Sequence, residues 1–158
     1  MTILKSNSET DFRIRPARDT DIPAIAEIEG ACFSHPWSEK SLRDTLHTKE
    51  GHLFVLETDG KIAAYAGMYV LFEDADVTNI ACLPAFRRNG FARALLGTLI
   101  TEAKALGAER LHLEVRVSNA PALALYSSEG FQTDGNRKNY YTDPTEDAYF
   151  MTRTLFQI

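Results

Sequence analysis

The chain has 158 residues, a length that suits one domain, since about 150 residues bury roughly 68–70% of the unfolded surface. Lys plus Arg number 17 and Asp plus Glu 22, a formal charge of −5, with 44% hydrophobic and 25% charged residues. This ordinary globular usage excludes whole-chain disorder, a collagen and a coiled-coil rod, and the acidic balance argues against a general nucleic-acid coat.

Residues 1–11 are largely polar and read as a flexible leader, with a single domain over 12–158. Phe12-Arg13-Ile14-Arg15 alternates apolar with charged, as a half-buried strand does, and Pro16 stops it. Asp19-Thr20-Asp21 offers caps and Pro23 suits a first helical turn; Ile22, Ile25, Ile28 and Cys32 then share one helical face. Ser34-His35-Pro36-Trp37-Ser38 breaks the pattern, and Ser38 can cap a short second helix carrying Leu42 and Leu46. A strand over 52–57, an Asp59-Gly60 turn, a partner strand over 62–71, a polar turn over 73–76 and a strand over 77–82 make an antiparallel meander.

A short basic loop over 84–90 then leads into a helix whose period runs through Phe91, Leu95, Thr98, Leu99 and Glu102 to Ala103 and stops at Gly107. From Arg110 to Val117 the alternation is strict, with His112, Glu114 and Arg116 facing away from Leu111, Leu113, Val115 and Val117. A helix over 119–129 and closing strands over 131–134 and 149–155 complete a mixed α/β sheet, and the strand–helix–strand order implies a parallel crossover.

The N-terminus lacks the apolar centre of a secretory signal, and no run approaches the roughly 18 apolar residues of a membrane span. Cys32 and Cys82 have apolar neighbours and read as buried free thiols. His35, His47, His52 and His112 lack the spacing of a metal site. A reduced cytoplasmic protein without metal, nucleic acid or membrane partner is expected.

The chemistry concentrates in Arg87-Arg88-Asn89-Gly90-Phe91-Ala92-Arg93, between a strand and a helix. A helix N-terminus presents unpaired N–H groups and partial positive charge, and small residues at 90 and 92 would let a phosphate approach the backbone. The loop is neither a Walker loop nor a GxGxxG dinucleotide loop. Taken alone it reads slightly better as a solvated basic turn.

Its neighbours shift the balance. The succession of strand, Arg87-x-x-Gly90-x-Ala92, helix, Glu114 strand, Asn119 and Tyr126 resembles the GNAT superfamily of acetyl-CoA-dependent N-acetyltransferases. The resemblance runs from about Phe12 onward. Within it the chain is most similar to the bacterial ribosomal-protein-alanine N-acetyltransferases of the RimI type. The matching segments are Phe33-Ser34-His35-Pro36-Trp37-Ser38, Asn79-Ile80-Ala81, Leu113-Glu114-Val115-Arg116, Ser118-Asn119-Ala120, Ala124-Leu125-Tyr126 and Asn139-Tyr140-Tyr141. Ala92 stands where glycine is common and Cys82 where valine is usual.

The resemblance implies a mixed sheet splayed between its fourth and fifth strands, with helices on both faces. Acetyl-CoA would be the cosubstrate. Its pantetheine amides would meet the backbone of Ile80, Ala81 and Cys82. Its diphosphate would meet Arg87, Arg88, Asn89, Gly90, Phe91, Ala92 and Arg93, and Asn119 would reach the cofactor arm. Glu114 would be the general base and Tyr126 the general acid. Trp37, Tyr140 and Tyr141 would build the groove for an acceptor, the N-terminal alanine of a small-subunit ribosomal protein. A monomer or weak dimer is expected.

Taken singly, Glu114 fits a surface charge, Tyr126 a core aromatic, Asn119 a helix cap, Trp37 a packed side chain, and Tyr140 and Tyr141 loop aromatics. Their joint order favours the site. Two other functions stay open: acetylation of a small amine or a lysine, and a CoA-binding sensor without turnover. Cys82 as an acyl-enzyme nucleophile ranks low, because no base is paired with it.

Overall fold

The computed structural model describes residues 2–5 and 11–156. Among them eight strands form one sheet in the order β1-β2-β3-β4-β5-β6-β8-β7. The strands are β1 Thr2–Lys5, β2 Asp11–Pro16, β3 Gly51–Thr58, β4 Lys61–Leu71, β5 Asp74–Cys82, β6 Arg110–Arg116, β7 Gln132–Tyr141 and β8 Glu146–Thr154. The helices are α1 Ile22–Cys32, α2 Glu39–His47, α3 Phe91–Ala105 and α4 Ala120–Ser128.

Sheet residues alternate between two cores. Leu53 and Val55 of β3 pack with Ile22, Ile25 and Ile28 of α1 and Leu42 of α2, whereas Phe54 and Leu56 pack with α3. A sheet covered on both faces needs apolar side chains at every position, and Ala63 to Met68 of β4 are accordingly buried without interruption. Helix α3 buries Phe91, Leu95, Leu99 and Ala103 at a four-residue spacing. Each fully buried Leu contributes about 1.5–3 kcal/mol.

Double coverage also changes β2. Arg15, which the alternation sends outward, is only 6% exposed. Its guanidinium donates to both carboxylate oxygens of Asp21, at 2.7 and 2.9 Å, and to Glu57. Asp21 is held below the usual carboxylate range by the Arg15 hydrogen bonds, so its charge is compensated at the entrance to α1.

Two expectations meet a different chain. Thr2–Lys5, read as part of a loose leader, pairs antiparallel with β2, from Thr2 opposite Ile14 to Lys5 opposite Asp11. The outer edge of β2 offers unpaired backbone groups, and Thr-Ile-Leu favours extended backbone. Residues 6–10 lie outside the described residues. Tyr140 and Tyr141, read as loop aromatics, belong to β7, which runs through Tyr141 rather than ending at 134. This strand is the sheet's far edge and mostly exposed, so it carries no apolar alternation to announce it.

The feature that positions the site lies between β5 and β6, the fourth and fifth strands counted from Phe12. They pair in parallel only at Asp74–Arg110, Ala75–Leu111 and Asp76–His112. At this closed end Asp74 accepts from Arg110 Nε at 2.9 Å and lies 2.8 Å from His112 Nε2; these bonds, Arg110 first, pull its pKa down to about 2. Beyond Asp76 the strands part, as expected. The register between β4 and β5 shifts there too, with Gly67 opposite Asn79 and Met68 opposite Val77, so Thr78 is the extra residue of a bulge.

Gly67 makes that bulge possible. A Cβ at this position would lie 2.6 Å from Thr78 Oγ1 and 2.8 Å from Leu53 Cδ2. Gly67→Ala is therefore expected to destabilise the protein by about 1–3 kcal/mol through overpacking, read as a lower urea midpoint. An unchanged midpoint would show that the bulge has room to spare.

Candidate functional site

Between the parted strands lies a cleft of about 620 Å³. Its walls come from α1, the α1–α2 connection, Val77 to Ile80 of β5, Leu113 to Arg116 of β6, α4 with its cap, the end of β7 and the β7–β8 turn. The cleft brings together Trp37, Ile80, Glu114, Asn119, Tyr126, Tyr140 and Tyr141. These seven residues span more than a hundred positions of sequence.

Glu114 alternates outward from Leu113 and Val115, so its carboxyl enters the cleft while its neighbours fill the core. It is open to solvent there and forms none of the ion pairs found among the described residues. The surrounding walls raise its pKa by desolvation, and the like charge of Asp76 adds to the rise. Tyr126 projects from α4 with its ring 5.8 Å from Phe131, and burial pushes its phenol up to about 12. Tyr141 is also raised to about 12, by burial first and by Glu114 second.

The far wall is stiffened by stacking. Tyr140 meets Tyr141 edge-on at 5.0 Å and Phe150 at 5.3 Å, and Arg116 lies 4.4 Å over the Tyr141 ring. Arg116 also donates to the carbonyls of Pro144 at 2.9 Å and Thr142 at 3.2 Å, which fixes the β7–β8 turn. Across the mouth, His35 Nε2 lies 2.8 Å from Asp143 Oδ2. Asn119 caps α4 by accepting from Ala122 N at 3.2 Å and lines the cleft as well, so its two readings are compatible.

A second cavity, of about 240 Å³, sits at the start of α3. Cys82, Arg87, Arg88, Gly90, Phe91, Ala92 and Arg93 line it. Gly90 caps α3 at φ +76° with open space around it, so backbone conformation rather than crowding requires a glycine. Arg88 is left-handed too, at φ +67°. The loop thus turns sharply into a helix whose first N–H groups have no intrahelical acceptor, a geometry suited to a diphosphate.

The individual side chains differ in what they can offer. Arg93 is ion-paired with Glu129 at the end of α4. Arg87 Nε donates to Cys82 O at 3.3 Å. Arg88 forms none of the ion pairs found among the described residues. Asn89 donates from its side chain to Phe86 O at 2.9 Å and lines neither cavity; it braces the loop. Ala81 is buried against the α1 side of the sheet, and the Phe91 ring packs edge-on against Phe12 at 5.2 Å. Only the backbone of Ala81 could serve a ligand. Burial raises the pKa of the Cys82 thiol, which opposes a nucleophilic role.

Beyond Asp76 the β5 edge facing β6 has no strand partner, and Thr78 Oγ1 is buried without a hydrogen bond. An extended amide chain fits such an edge, as an added strand would. The open edge and the phosphate turn together fit the pantetheine and diphosphate of coenzyme A. Among the described residues no three His, Cys, Asp or Glu side chains gather as a metal site requires, and no helix is long and apolar enough to cross a membrane.

Sequence reasoning did not single out Glu29, which also lines the cleft. It is fully buried in α1. A signal existed: Glu29 stands seven residues after Ile22 and four after Ile25, on the apolar stripe of its helix, where a carboxylate needs a reason.

A parted mixed sheet with helices on both faces, a left-handed turn opening α3, and a cleft lined by Glu114 and Tyr126 fit an acyltransferase that works on a carried thioester. The family model for the acetyltransferase (GNAT) family matches residues 22–131. The chain belongs to this family. It is an N-acetyltransferase that uses acetyl-CoA.

The chain is 45% identical over 135 residues to the [ribosomal protein bS18]-alanine N-acetyltransferase of Escherichia coli K12, covering 84% of this chain and 90% of that one. It is 32% identical over 168 residues to an N-alpha-acetyltransferase of Sulfurisphaera tokodaii, covering 98% and 100%. The crystal structure of the ribosomal-protein-S18-alanine N-acetyltransferase from Escherichia coli matches at a TM-score of 0.86 with 40% identity, over 93% of this chain and 96% of that one.

The arginines yield a prediction. Arg88→Ala should raise the Kd for acetyl-CoA about tenfold, the loss of one hydrogen bond to a charged group. Arg93→Ala should raise it less than about threefold, because Glu129 already engages that charge. Isothermal titration calorimetry measures both, and the reverse order would assign the phosphate to Arg93.

Proposed function

We propose that the protein transfers the acetyl group of acetyl-CoA to the α-amine of a protein N-terminus, and that this acceptor is the N-terminal alanine of ribosomal protein bS18. The observation that carries the acceptor is the 45% identity to the Escherichia coli enzyme acting on that protein, over 90% of its length. The cleft supports it physically. Its aromatic wall of Trp37, Tyr140 and Tyr141 leaves room for an extended chain end, and it opens to solvent beside Glu114.

Acetyl-CoA supplies an activated acetyl thioester. This chain's residues supply binding, orientation and proton movement. Arg88 and the N–H groups at the start of α3 hold the diphosphate end, and the open edge of β5 holds the arm. Glu114 receives the proton of the attacking amine. A chain N-terminus has a pKa of roughly 7.7–8.0 against about 10.4 for lysine, so it reaches its neutral form at smaller cost. A carboxylate raised above its usual range by desolvation and by Asp76 narrows the gap to that amine. Tyr126, with its phenol at about 12, stays protonated and delivers its proton to the departing sulfur.

Three outcomes test the reading. Purified protein with acetyl-CoA should modify peptides bearing a free N-terminal alanine and not the same peptides with that end blocked. Faster transfer to a polyamine would replace the proposed acceptor with a small amine. Glu114→Gln should lower kcat by about 10²–10⁴ and leave the acetyl-CoA Kd within about twofold, the range for losing a general base. In the wild type, activity should fall as pH drops through the raised Glu114 pKa, because only the ionised carboxylate accepts a proton. In Glu114→Gln the limb set by that carboxyl should vanish, leaving only the limb at roughly 7.7–8.0 that belongs to the acceptor amine. An unchanged pH profile in the variant would assign the base elsewhere.

A further inference from the structure

Glu29 carries a further role. Its carboxylate is fully buried, and no cation pairs with it among the described residues. It is held instead by three neutral donors from three different elements. Oε1 accepts from the Trp37 backbone N–H at 2.8 Å. Oε2 accepts from the Tyr65 hydroxyl on β4 and from Asn79 Nδ2 on β5 at 2.8 Å. Asn79 Nδ2 also lies 3.1 Å from the Tyr65 hydroxyl, which closes the triangle. Burial and the neighbouring Glu29 charge hold the Tyr65 phenol above its usual range, so it remains a donor.

A buried carboxylate is costly unless every lone pair is used. Here the use is specific. Trp37 lies on the α1–α2 connection that walls the cleft, and Phe33, Ser34 and His35 before it are exposed. Asn79 lies on β5 where that strand has left β6 and its edge stands open. Glu29 therefore ties the acceptor-side wall directly to the strand that presents the cofactor edge. We infer that Glu29 is a positioning residue that sets the spacing between the Trp37 wall and β5, and thereby the affinity for the acceptor chain. It is not placed as the proton acceptor of the reaction: it is fully buried and engaged by three donors, whereas Glu114 is the carboxylate that opens to solvent in the cleft. The inference rests on the reading of the cleft as the acceptor groove.

Glu29→Gln tests it, because an amide cannot accept from donors on both sides. The acceptor-peptide KM should rise about tenfold or more, as for a hydrogen bond to a charged group, while the acetyl-CoA Kd stays within about twofold. The acid limb of kcat/KM should stay where it is. Trp37 is the chain's only tryptophan, so its emission should move to the red as the wall loosens. Tyr65→Phe removes one donor while keeping the carboxylate, and should shift KM and emission in the same direction by less. If Glu29→Gln does not fold, Tyr65→Phe decides alone.

Unchanged KM and emission in a folded variant would overturn the inference. So would loss of the acid limb, which would make Glu29 the base, or an equal loss of acetyl-CoA binding, which would make its role general. If the wild type acetylates no peptide N-terminus, the acceptor reading fails separately. Trp37 emission and acetyl-CoA binding then still decide whether Glu29 holds the wall to β5.

Discussion

Three residue pairs of parallel ladder, and no more, join β5 to β6. Everything that can happen chemically in this molecule depends on that short seam. Parallel strands normally continue pairing until they end, because each buried N–H or C=O left without a partner costs about 1–3 kcal/mol. Here the separation is held from outside. Strand β5 is committed to β4 on one edge, and β6 to β8 along its whole length. The bulge at Thr78 turns β5 away just past the seam, and Asp74, gripped by Arg110 and His112, pins the end that stays closed. Among the described residues the β5 edge beyond Asp76 thus faces the cleft without a strand partner, an arrangement that suits an extended amide ligand.

Opening the sheet also creates the dielectric step that separates the two titrating groups. Glu114 and Tyr126 line one cleft, and burial raises both. The same cause has opposite uses in the proposed reaction. A carboxyl raised above its usual range becomes a better match to an amine. A phenol at about 12 is locked in its protonated form and can only donate. No metal is needed to part their roles; the difference in starting pKa between the two side chains is enough once both are partly dehydrated.

Legibility from sequence followed burial. Strands and helices with apolar faces, such as β3, β4, α1 and α3, announce themselves by period because packing demands it. Strand β7 was legible only in its first residues: it lies at the sheet edge, and its exposed Asn136, Arg137 and Lys138 obey no core. Strand β1 escaped because its pairing is decided by the free edge of β2 and not by its own pattern. In the site, Glu114 and the Arg87-to-Arg93 loop were singled out through the family resemblance, since their local pattern alone fits a surface charge and a solvated basic turn. The network of Glu29, Tyr65, Asn79 and the Trp37 N–H was not, since each member looks ordinary alone and they meet only after the sheet is built. Nor was the pairing of Arg93 with Glu129, 36 residues away.

That last pairing alters the meaning of the net charge. Counted along the chain, Arg87, Arg88 and Arg93 form a cationic cluster that sharpens the acidity of what remains. In space, Arg93 is neutralised by Glu129 and Arg116 by Glu146, and each pair braces an element beside a cavity. The charges left open beside the cavities are fewer: Arg88 lines the turn before α3, and Glu114 lies on β6 where the strands have parted. In the proposed reaction an ammonium arriving at the cleft would meet the Glu114 carboxylate, while the phosphates of the other substrate would lie by Arg88 at the start of α3, so that two substrates of opposite charge would be sorted to different places. The sorting needs only a few unpaired charges, because paired ones contribute little field at a distance.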